Sequence, residues 1–136
     1  MEEGLLQIRD HQGEGYRPLV DFASWRVAML LPENQQASMQ YASMERHLET
    51  DEVFVLTRGQ GTIIIGGNGP RPGQMAAQGM VVGKVYNIRK GAWHTASLSA
   101  DAVVVIIENR DTTEQNSEYA ALTPQQRLTV MELARG

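Results

Sequence analysis

The feature that most limits how this chain can fold is a series of short apolar runs, rich in β-branched residues, with turns between them and no helix-length segment. Trp25 to Leu31 reads WRVAMLL and is ended by Pro32, with the polar turn Glu33-Asn34-Gln35 behind it. Glu52 to Thr57 reads EVFVLT, and Thr62 to Ile65 is a further β-branched run. Val81 to Ile88, Trp93 to Leu98 and Ala102 to Asn109 follow. Runs of this length bounded by turn residues read as strands. Gly59-Gln60-Gly61, Lys90-Gly91 and Ser99-Ala100-Asp101 supply the turns. The spacing predicts an all-β sandwich or barrel and argues against a βαβ layout.

The remaining segments give weaker signals. A short strand is expected at Leu5 to Ile8 within an otherwise mixed stretch, in which His11 reads as solvated. Residues 36 to 47 alternate weakly, so that Met39, Tyr41, Ser43, Glu45 and His47 share one face of a strand. Residues 66 to 80, GGNGPRPGQMAAQGM, read as a mobile rim loop without regular structure. Glu108 to Glu118 reads as a solvated connection. Thr123-Pro124-Gln125-Gln126 is a helix start, with a capping Thr, a Pro at the first helical position and a Gln three residues after the cap. The helix is expected over about 123–134, with Leu128 and Met131 toward the barrel. One domain is expected over 1–136, its barrel core over about 25–110.

Composition narrows the chemistry. The chain has 136 residues, a formal net charge of −4 and no cysteine. Thiolate sites and disulfides are therefore excluded, and any metal must be held by His, Asp or Glu. No basic stretch favours nucleic acid as a partner. No apolar run is long enough to span a bilayer, and the N-terminal residues do not read as a secretory signal, so the expected compartment is the cytoplasm.

The residues that can carry chemistry converge at one hairpin. On a strand ending at residue 47, Glu45 and His47 point to the same side. A short turn then reverses the chain, and Glu52 opens the next strand. His94 follows Gly91 at the start of a later strand, which a closed barrel can place opposite the hairpin. Two imidazoles and one carboxylate suit a divalent transition metal with open positions, and Glu45 would make a fourth ligand. Tyr41 and Phe54 are the candidates for the walls of a substrate pocket. Trp93 should face away from His94 and serve packing or an interface.

The order and spacing of these residues resemble the two motifs of the cupins. Glu45-x-His47, four residues, Glu52, six residues and Gly59 match the first motif. Gly83, five residues, Arg89-x-Gly91, two residues, His94, three residues and Leu98 match the second. Four positions depart from the pattern: Glu45 stands where the family has its first His, Met39 where it opens with Gly, Arg89 in place of Pro and Leu98 in place of Asn.

The resemblance implies a double-stranded β-helix, or jelly-roll, barrel with a short C-terminal helix. It implies a divalent metal, Zn, Ni, Fe or Mn, held by His47, Glu52 and His94, with Glu45 either a ligand or a general base beside it. The expected function is action on a small polar metabolite, a sugar or an organic acid. If the protein is an enzyme, isomerase, lyase or oxygenase chemistry fits; the alternative is a metal-free, non-catalytic module that binds a small molecule. A homodimer is expected through the outer sheet face or the N-terminal strand, because Val53, Val55, Met44 and Trp93 would otherwise leave apolar surface uncovered.

Overall fold

The computed structural model describes residues 4–34 and 40–135. Ten strands form two five-stranded antiparallel sheets. The first sheet contains β1 (Gly15–Phe22), β2 (Trp25–Leu31), β4 (Glu52–Arg58), β7 (Val85–Ile88) and β9 (Val103–Asn109), in the order β1-β2-β9-β4-β7. The second contains β3 (Ser43–His47), β5 (Gly61–Ile65), β6 (Ala76–Gly79), β8 (His94–Leu98) and β10 (Ser117–Ala121), in the order β10-β3-β8-β5-β6. A C-terminal helix, α1 (Pro124–Arg135), completes the chain. No helix among the described residues is long and apolar enough to cross a membrane.

The main core follows the period-two pattern of the strands. Phe54 and Leu56 of β4, Val104 and Ile106 of β9, Ala28 of β2 and Ile63 of β5 meet between the sheets. The second sheet is covered on both faces. Ile63 enters the main core while its neighbour Ile64 packs on the other side with Met44, Trp93, Leu122 and Val130. The helix starts as expected: Thr123 Oγ1 accepts from the backbone of Gln126, and Gln126 Oε1 accepts from the backbone of Thr123. Its buried face is Val130 with Leu133 and Ala134, whereas Leu128 and Met131 are exposed. The expected face was therefore wrong, because the stripe that meets the sheet is offset around the helix.

Several other expectations need correction. Leu5 to Ile8 forms no strand; the first strand is β1, so the sheets extend beyond 25–110 at both ends. Among the described residues of the 36–47 segment, 40–47, the regular part is β3, and Tyr41 sits in a turn with φ +57°. Residues 36–39, Met39 among them, lie outside the described residues. The 66–80 stretch contains strand β6, paired with β5. Its first half is pinned over Trp93, whose backbone exchanges hydrogen bonds with Gly66 and Gly67 and whose indole donates to the Gly69 carbonyl. His11 is buried, with Nε2 3.0 Å from the Gly15 carbonyl.

Met44 and Trp93 do not lie open for a partner. Both are buried within one chain, beneath the packing that includes Val130 of α1. Val53 and Val55 remain half-buried on the outward side of β4.

Candidate metal centre

The backbone brings the candidate residues together in three steps. Glu45 and His47 lie two apart on β3 and face the interior side of the second sheet. The turn after β3 sends the chain across to the first sheet, where Glu52 opens β4. His94 opens β8, where its Cα is the cross-strand partner of Glu45. The approach to β8 is fixed by Gly91, whose φ is +82° and whose N–H donates to the His47 carbonyl at 2.7 Å. Glycine adopts that φ without steric cost, which accounts for its place three residues before His94. Gly59, the last residue of the first motif, is more constrained still. It has φ +79°, and a Cβ there would lie 2.7 Å from the Cα of Ala102.

Glu45, His47, Glu52 and His94 each offer one ligand atom, and these atoms all lie within 4.8 Å of one another. Nε2 of His94 is 3.0 Å from Glu52 Oε1, and Nε2 of His47 is 3.4 Å from Glu52 Oε2. Glu45 Oε1 is 3.8 Å from His94 Nε2 and 3.9 Å from His47 Nε2. Two atoms each about 2.1 Å from one ion are about 3.0 Å apart at a right angle and about 3.4 Å apart at the tetrahedral angle. The two Glu52 separations match these values, and the wider ones, up to 4.8 Å, would have to draw in for all four ligands to meet one small cation.

Hydrogen bonding on the far side of each ring supports the same fit. Nδ1 of His47 is 2.8 Å from Ser117 Oγ, and Nδ1 of His94 is 3.0 Å from the Ala92 carbonyl. Each ring is therefore oriented through Nδ1 and presents Nε2 to the cluster, the arrangement by which outer partners fix a ligating histidine. Both Nε2 atoms are buried and face Glu52, but neither makes a well-aligned hydrogen bond. Buried polar atoms of this kind need a proton partner or an ion.

The charges are strongly coupled. For His47 and His94, burial is the largest influence and opposes protonation, but the adjacent Glu52 carboxylate outweighs it and holds both above the ordinary value. Burial likewise opposes ionisation of Glu52, yet the two imidazoles against it hold its carboxyl well below the usual range.

Sequence reasoning missed the neighbours that complete the site. Arg26 and Glu108 are cross-strand partners on β2 and β9, and the register of β9 with β4 sets Glu108 beside Glu52. Glu108 is buried and accepts from Arg26 Nη2 at 2.7 Å and from the Tyr16 hydroxyl. Burial first, then the Glu52 carboxylate, push the Glu108 carboxyl up, while burial and the Glu108 carboxylate push the Tyr16 phenol up. Glu108 and Arg26 had a usable signal in period two, since each lies an even number of residues from inward apolar neighbours, Ile106 and Ala28. Tyr119, on β10 opposite Glu45, had none, because it falls just past the Glu108 to Glu118 stretch that read as a solvated connection and before the helix start.

A cavity of about 340 Å³ opens onto the cluster. Its walls include Glu45, His47, Glu52 and Phe54 together with Tyr16, Arg26, Glu108 and Tyr119. Phe54 also meets the His94 ring edge-on, with centroids 6.4 Å apart. Tyr41 lies elsewhere. Its hydroxyl is 2.9 Å from Ser97 Oγ, and it lines a separate cavity with Thr95, Ser97 and Leu98. The positive φ at Tyr41 breaks the alternation that would have put it on the Glu45 face.

No protein-family model matches the sequence, and no curated protein does. Solved structures do. Pac13 from Streptomyces, a nucleoside dehydratase seen with uridine, superposes with a TM-score of 0.57 at 10% identity, covering 85% of this chain and 86% of its own. A cupin-2 domain protein from Shewanella frigidimarina gives 0.51 at 21% identity, covering 74% and 85%. The capsular polysaccharide assembling protein CapF from Staphylococcus aureus gives 0.61 at 13% identity, covering 85% of this chain and 32% of its own. The chain has the cupin fold, as the two motifs implied.

Proposed function

We propose that this protein holds a divalent transition metal through His47 Nε2, His94 Nε2 and Glu52, with Glu45 closing the site, and uses it on a small polar metabolite. The observation that carries this reading is the pair of buried Nε2 atoms that face the cluster without a well-aligned hydrogen bond, each aimed by a bond on the opposite ring nitrogen. When bound, Zn, Ni, Fe or Mn would act as a Lewis acid, polarising a carbonyl or lowering the pKa of a bound water.

The chain's own residues have separable tasks. Glu52, its side chain 6% exposed, is fixed between the two imidazoles and supplies charge to the centre. Glu45, with 38% of its side chain exposed, faces the cavity and is placed either to ligate or to move a proton at the substrate. Phe54 closes the inner wall. Isomerase, lyase and oxygenase chemistry all remain compatible, since fold alone does not select a reaction. The uridine held by Pac13 makes a hydroxylated metabolite a natural first probe. The test is metal content of the purified protein, before and after incubation with each ion, against the same measurement on His94→Ala.

The second reading, a metal-free binding module, is favoured by the 3.0 Å contact of Glu52 with His94, which lets the cluster satisfy much of its charge internally. We also propose a homodimer through the outward side of the first sheet, where Val53 and Val55 lie with the exposed Trp25 and Ile107.

A further inference from the structure

We propose that the cavity beside the cluster selects a neutral, polyhydroxylated ligand, such as a sugar or a nucleoside ribose, and rejects organic acids. This rests on the metal reading above and narrows its substrate class. Among the described residues that line the cavity, Arg26 is the one lysine or arginine; both of its terminal nitrogens are already bonded, and its Nε is buried. Its Nη2 donates to Glu108 at 2.7 Å and to the Thr112 carbonyl at 3.3 Å, and its Nη1 donates to the Arg110 carbonyl at 3.2 Å. Its side chain is only 14% exposed, so little of its charge is open to an incoming anion.

The metal would not replace that lost cation. Two carboxylates, Glu45 and Glu52, cancel the charge of a divalent ion at the cluster. What the cavity still offers a ligand is acidic and hydroxylic. Glu114 is exposed on the wall, Glu108 lies behind Arg26, and Tyr119 stands across the strand pair from Glu45. Carboxylates accept hydrogen bonds and donate none, so they reward hydroxyl-rich ligands and repel carboxylates. Phe54, Leu30 and Ile106 give the same cavity an apolar side for the C–H face of a ring. The buried Nε2 of His47, on this wall and without a well-aligned hydrogen bond, ties the cavity to the reacting centre.

The experiment is saturation-transfer NMR with matched probes at millimolar concentration: glucose against glucuronate, galactose against galacturonate, and uridine against uridine 5′-carboxylate. Metal content is measured on the same samples. The neutral member of at least one pair should bind at least about tenfold more tightly than its acid. Glu114→Gln, on the exposed rim, should narrow that ratio without changing metal content. Glu108→Gln frees Arg26 and should narrow it further or reverse it; if this variant does not fold, Glu114→Gln alone decides. Acids binding as well as their neutral partners, no neutral probe binding, or an unchanged ratio in folded Glu114→Gln would overturn the proposal. A protein without metal that still prefers the neutral member would overturn the metal reading and leave the selectivity standing.

Discussion

Glu45 and His94 are direct partners across the β3–β8 pair, which is where the two cupin motifs meet. The contact sets Glu45 Oε1 3.8 Å from His94 Nε2, farther than Glu52 Oε1 at 3.0 Å. Glu45 is also the more exposed of the two carboxylates, at 38% against 6% of side chain. Glu45→Gln should therefore lower metal content less than Glu52→Gln does. Metal analysis of the two variants checks this, and an equal loss from both would place Glu45 among the full ligands.

Ser117 acts at one remove. Its hydroxyl is 2.8 Å from His47 Nδ1 and holds the ring so that Nε2 faces the cluster. Ser117→Ala should keep the fold and weaken metal affinity by about 10–100-fold, the usual cost of losing such a partner. Competition with a chromogenic chelator reads the change. Unaltered affinity would show that packing alone orients His47.

Removing metal should leave a characteristic pH profile. In metal-free protein His47 and His94 titrate above their ordinary 6.5, and Glu52 titrates below its ordinary 4.5. The histidine contribution to stability is full below 6.5 and is lost as pH rises through the folded values. The Glu52 contribution is present above 4.5 and is lost as pH falls through its folded value. Both act between 4.5 and 6.5, so the cluster stabilises chelated protein most in that window. Metal binding requires neutral imidazoles and should move the maximum upward. Melting temperatures across pH, with chelator and with metal, test this; identical profiles would count against a metal at these histidines.

Assembly gives an independent check. The outward residues of β4, Val53 and Val55, are half-buried, and Trp25 and Ile107 are 43% and 39% exposed. Light scattering at low micromolar concentration should give twice the chain mass of 15.1 kDa. A mass near 15.1 kDa would mean that the outward face stays in water.

The centre was more legible in the sequence than the walls around it. Period two placed Glu45 with His47, and motif spacing joined them to Glu52 and His94, because ligands on adjacent strand ends leave a fixed signature. Trp25–Leu31 emerged with its observed bounds for a similar reason, since Pro32 ends an unbroken apolar run. Tyr41 failed where the backbone turns to positive φ, a change that alternation cannot register. β1 and β10 were missed because edge strands carry polar residues and need little apolar patterning. Glu108 was read with the solvated segment that follows it, whereas Arg26 and Tyr16, from distant parts of the sequence, both bond its Oε1 inside the barrel.

The central claim is that His94 and His47 share one metal ion with Glu52. Its most direct test is elemental analysis of wild type and His94→Ala after incubation with Zn, Ni, Fe or Mn and removal of free ion. Near-stoichiometric metal in wild type and little in folded His94→Ala is the predicted result. Equal metal in both proteins, or none in wild type with any of the four ions, would contradict it.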